Sequence, residues 1–76
     1  MDSDYTINIA WDAEASVWIA TCDDIPIALE SGSLDALIVR VKFAAPELLE
    51  LNGQKQRQIL LRFLVERYEE IDIEHK

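Results

Sequence analysis

Residues 59–76 read ILLRFLVERYEEIDIEHK, and the fold turns on whether their first half is a strand or a helix. As a strand, Ile59, Leu61, Phe63 and Val65 face one way, and Leu60, Arg62 and Leu64 face the other. As a helix, Leu60, Leu61, Leu64, Val65, Tyr68 and Ile71 make one stripe. Intrinsic propensity leans helical, because Leu, Glu, Arg and Gln dominate. Periodicity alone leaves both readings open. A strand gives β-β-β-α-β; a helix gives a ββ(β)αα domain. Glu74 to Lys76 are expected to fray.

Upstream, the pattern is clearer. Gln54 to Gln58, QKQRQ, reads as a polar loop with two basic residues. From Leu34 the period is helical: Leu34, Leu37, Ile38, Val41, Ala45, Leu48 and Leu49 fall on one stripe. The helix is expected over about 34–51, with Ser33 as N-cap, Asp35 at the positive end of the dipole and Asn52-Gly53 as the stop. Pro46 lies inside it, where proline costs about 3 kcal/mol. A kink near 46 is expected, or a break at which Pro46 opens a second short helix.

The stretch Asp23 to Ile38, DDIPIALESGSLDALI, joins this helix to what precedes it. It reads as an acidic turn around Pro26, a short strand over about 27–30, and a corner in which Gly32 can take positive φ. Before it, Tyr5, Ile7, Ile9 and Trp11 alternate with Thr6, Asn8, Ala10 and Asp12, predicting a half-buried strand over 5–12. Val17 to Cys22 is β-branched and aromatic and predicts a second strand, apolar enough to be covered on both faces. DAEAS between them is a hairpin connection of unspecified turn type.

The 76 residues are expected to form one small domain. Such a domain buries roughly 60% of the surface its unfolded chain exposes. Half its residues are hydrophobic. Trp11, Trp18, Phe43, Phe63, Tyr5 and Tyr68 are the largest candidates for filling the core, with at least one tryptophan inside. The net charge is −8, from 15 acidic and 7 basic residues. That sign opposes contact with nucleic-acid phosphates and anionic membranes and suits a basic partner. Cys22 is the single cysteine, so no intrachain disulfide forms. MDSDYT lacks the character of a signal peptide, and no apolar run approaches the ~20 residues that span a bilayer. A cytoplasmic location is expected.

Chemistry-bearing patterns are sparse. Asp12, Glu14, Asp23 and Asp24 are the carboxylates that a metal nuclease would need to converge; Asp in turns more often bonds local backbone. His75 is the sole histidine, which leaves no nucleophile–base pair and no metal-ligand set. The two glycines are far apart, so no phosphate loop exists. No enzymatic activity, cofactor or metal is expected. Asp23, Asp24, Glu30 and Asp35 surround the central stretch and form the candidate partner-binding surface, with solvated turn and cap residues as the plainer reading.

The hairpin YTINIAWDAEASVWIATCDDIP, the corner ESGSLDALI and the helix end APELLELNG together resemble the HicB-like antitoxin superfamily, in its small single-domain branch of uncharacterised bacterial proteins. The similarity runs from about Tyr5 to Val65. The family pattern places a glycine directly after the proline; here Ile27 stands there. The resemblance implies an α+β fold: an antiparallel three-stranded meander, one helix and a returning fourth strand, a trimmed RNase H-like arrangement without its catalytic carboxylates. It thereby favours strand for 59–66. It also implies a non-catalytic module that neutralises a small basic RNA-cleaving toxin. Many relatives carry a C-terminal DNA-binding segment; with Lys76 as the last residue, no direct nucleic-acid contact is expected. The alternative role is an orphan self-associating structural domain. Expected partners are thus a small basic toxin protein and other copies of the chain, with no membrane contact.

Overall fold

The computed structural model describes residues 3–54 and 57–74. Lys55 and Gln56 of the polar loop and His75 and Lys76 of the C-terminal end lie outside the described residues. Five elements follow in order: β1 (Ser3–Asp12), β2 (Val17–Cys22), β3 (Ala28–Ser31), α1 (Leu34–Leu51) and β4 (Ile59–Glu66). The sheet order is β3-β2-β1-β4. β2 pairs antiparallel with β1 and with β3, and β4 lies parallel to β1. This is the α+β, β-β-β-α-β arrangement.

Pairing with β1 decides β4. Its register runs from Ser3↔Ile59 to Ala10↔Glu66. That alignment puts Leu61 beside Tyr5 and Phe63 beside Ile7, on the face that α1 covers. Helix propensity is a weak prior, and a ladder of this length with apolar packing overrides it. The alternative of a helical C terminus does not form in the described residues. β1 is flanked on both sides, and Ile7 and Ile9 are almost fully buried under α1.

The helix presents Leu37, Val41, Ala45 and Leu49 to the sheet, with Leu34, Ile38 and Leu48 at the margins. Ser33 caps its start: its hydroxyl accepts the Ala36 N–H at 3.2 Å. Gly53, at φ 81°, caps its end. The Gly53 N–H donates to the Glu50 carbonyl and the Gln54 N–H to the Leu49 carbonyl, at 3.0 and 2.9 Å. These two bonds make a Schellman motif. Pro46 sits inside this one continuous helix, without opening a second. It lies on the exposed side, where the Lys42 carbonyl loses its intrahelical donor.

Several expectations give way. β2 is internal to the sheet but covered on one face only; Val17, Ile19 and Thr21 point away from α1, where no described element packs. Phe43 and Tyr68 are not core: 73% and 85% of their surfaces are exposed. Gly32 does not use positive φ. Ser16 does, at φ 56°, closing the four-residue hairpin loop after Asp12. β3 begins at Ala28, because Ile27 belongs to the turn before it.

Past Glu66, residues 67–74 form an arm that has no helix or strand and is exposed throughout. The molecule measures 62 × 24 × 18 Å, with a radius of gyration of 15.7 Å. About 11 Å is usual for a compact chain of this length, and the arm supplies the excess.

Candidate functional site

The turn between β2 and β3 is built on two buried isoleucines. Ile25 and Ile27 are 1% and 4% exposed, with exposed Pro26 between them. The Ile27 N–H donates to the Ile25 carbonyl at 2.6 Å. This three-residue turn centres on proline, whose fixed φ suits it. Ile27 keeps ordinary backbone, so no glycine is required where the HicB-like pattern carries one.

That scaffold holds Asp23 and Asp24 in water at the Cys22 end of β2. Glu30 lies on β3 opposite Ile19, on the sheet face away from the helix. Asp35 lies beyond the other end of β3, in the first turn of α1. The four carboxylates therefore flank and follow β3 rather than converge on one point. All four are exposed, and none forms an ion pair among the described residues. Arg40 of α1 binds this strand through its backbone, donating to the Glu30 carbonyl at 2.9 Å.

Asp12 and Glu14 sit at the opposite end of β2 from Asp23 and Asp24. The register Asp12↔Val17 and Ile7↔Cys22 sets the length of β2 between the two pairs, about 17 Å at a strand's rise per residue. Asp12 is occupied locally, accepting the Glu14 and Ala15 N–H groups at 3.1 and 3.3 Å. Among the described residues, no three His, Cys, Asp or Glu side chains are grouped to hold a metal ion. No described helix is long and apolar enough to cross a membrane.

A second feature lies at the hairpin end of the sheet. Trp11 and Trp18 are cross-strand partners, both half-buried, packed edge to face with centroids 5.1 Å apart. Trp18 touches the core margin. Arg67, next in line after the Ala10↔Glu66 pair, lays its guanidinium 4.3 Å from the Trp11 centroid and 5.5 Å from that of Trp18. Its Nε also donates to a Glu69 carboxylate oxygen. Tyr68 donates its hydroxyl to Glu66 at 3.0 Å, and that carboxylate's hydrogen bond and negative charge raise the phenol above its ordinary pKa of 10.0. Sequence reading missed the Arg67–tryptophan contact. Only the parallel register of β4 on β1 places these residues together.

Beside β4 the helix falls short of the sheet. An open groove of about 490 Å³ runs between them, lined by Ile38, Lys42, Pro46, Ile59, Leu61 and Phe63.

No curated protein matches the chain. Among solved structures it is similar to the hypothetical protein TTHA1013 of the extreme thermophile Thermus thermophilus, at 31% sequence identity and a TM-score of 0.68. That match covers 92% of this chain and 99% of the other. A family model described as a domain of unknown function, DUF1902, matches residues 4–73. Because that span runs from β1 through the helix and β4 into the arm, the chain belongs to the DUF1902 family.

Proposed function

We propose that the chain is a non-catalytic protein-binding module of the HicB-like antitoxin kind, and that its partner is a small, basic, RNA-cleaving protein. The observation that carries this reading is the β3 side of the molecule. Asp23, Asp24, Glu30 and Asp35 stand there in solvent, without internal ion pairs among the described residues. A net charge of −8 adds to the field on that side. Opposite potentials accelerate encounter and reject partners of like charge. The resemblance of the hairpin, corner and helix end to HicB-like antitoxins supplies the class of partner.

The turn geometry supports a role in presentation. Two buried isoleucines fix the backbone under Asp23 and Asp24, so these carboxylates are offered without a large ordering cost. At the other end of β3 the Ser31 hydroxyl accepts the Ser33 N–H and Arg40 donates to the Glu30 carbonyl, which ties the strand to the start of the helix.

Co-expression with a small basic protein encoded beside this chain's gene tests the reading. A complex that survives purification and weakens with salt is expected. The combined D23K/D24K change should weaken it by tenfold or more, about 1.4 kcal/mol. A neighbouring protein that neither co-purifies nor loses RNA cleavage in the presence of this chain would sink the proposal.

A further inference from the structure

Among the described residues a long sheet edge, an apolar groove beside it and the acidic end of the arm, residues 70–74, stand open to solvent, and the three are complementary. β3, at one edge, is four residues long and tied to α1 through Arg40. β4, at the other, is eight residues long and has no neighbour on its outer side among the described residues. It carries neither proline nor glycine. A free edge of this length is a template for another strand.

Alongside this edge lies the groove, where α1 leaves Ile59, Leu61 and Phe63 only half-buried. Lys42 stands on its rim, Arg57 near its end and Arg62 on the edge strand itself.

The arm has the opposite character. Ile71 and Ile73 are 80% and 75% exposed. They alternate with Asp72 and Glu74, the period of a strand with one apolar face. Glu69 and Glu70 add to its acidity. Residues 67–74 contain no turn or bend, so the arm does not fold back on its own β4. Arg67, fixed over Trp11 and Trp18, directs its departure beyond the sheet.

We infer that two copies of this chain pair about a two-fold axis, each arm adding as an antiparallel strand to the outer edge of the other copy's β4. Alternation limits the register. Directly opposed residues on an antiparallel pair share a face, so Ile71 and Ile73 must oppose groove-lining positions of β4. Setting Ile71 opposite Phe63 sets Ile73 opposite Leu61. The same register sets Asp72 opposite Arg62, giving an opposite-charge pair on the other face. The contact is isologous, so each copy gives one arm and receives one, and the assembly closes as a dimer. It leaves the β3 side free and does not rest on the antitoxin reading.

Sedimentation or light scattering of the full chain alone tests this. A mass of twice the 8.7 kDa chain is expected at micromolar concentration. The I71D/I73D variant, altered only at exposed arm positions, should keep its circular dichroism and dimerise about 100-fold more weakly or worse. R62E should also weaken the dimer, and adding D72R to it should restore much of the loss. A wild-type monomer at these concentrations, or an I71D/I73D variant as dimeric as wild type, overturns the inference. Failure of D72R to rescue R62E overturns the register.

Discussion

Ile27 shows how one side chain can replace a backbone requirement. A glycine after Pro26 would give the turn freedom; isoleucine in ordinary backbone gives it an anchor, 4% exposed against the core. Replacing it with glycine removes a buried side chain and adds chain entropy to the unfolded state. Ile27→Gly is expected to cost about 3–5 kcal/mol, a large share of the roughly 5–15 kcal/mol typical of a domain. A urea midpoint within error of wild type would contradict this. The neighbouring Asp23 and Asp24 have a different status. They are held in solvent by that anchor, and their substitution should change association far more than folding. Asp12 is the reverse case, a turn residue whose carboxylate is already engaged by two backbone N–H groups.

At the scale of elements, the arm depends on where β4 ends. Arg67 joins the two by lying over both tryptophan rings, and guanidinium–ring contacts of this kind contribute about 0.5–1 kcal/mol at exposed sites. Arg67→Ala is expected to lower stability by that amount and to shift the tryptophan emission. Lysine should restore the effect only in part, since it lacks the planar group. Unchanged emission would separate the arm from the tryptophan pair. The sequence announced the elements whose causes are local. Ser33 and Asn52-Gly53 act within one helical turn, and the alternation of Tyr5, Ile7 and Ile9 is carried by β1 itself. The state of 59–66 was not legible in the same way, because its decisive partner, β1, lies at the other end of the chain. The stripe that suggested a helix counted Tyr68 and Ile71, both of which stand in solvent. The acidic candidates were legible as surface residues. Their separation along β3, and the distance between Asp12 and Asp24, required the register.

At the scale of the whole molecule, the two edges of the sheet differ. The β3 edge is short, acidic and tied to the helix; the β4 edge is long, open and bordered by cations. Under the two proposals, self-association uses one side and a basic partner the other, without competition. Salt should act differently on the two contacts. The heterologous complex, resting on exposed carboxylates, should weaken steeply, whereas a dimer built on Ile71 and Ile73 should weaken little. Amide hydrogen exchange of the full chain at two concentrations tests the central claim, that β4 and the arm form the self-pairing side, most directly. Protection of arm amides in residues 68–74 at high concentration, lost on dilution while β1 stays protected, is the predicted result. Arm amides that exchange as fast as an unstructured chain at every concentration would contradict it.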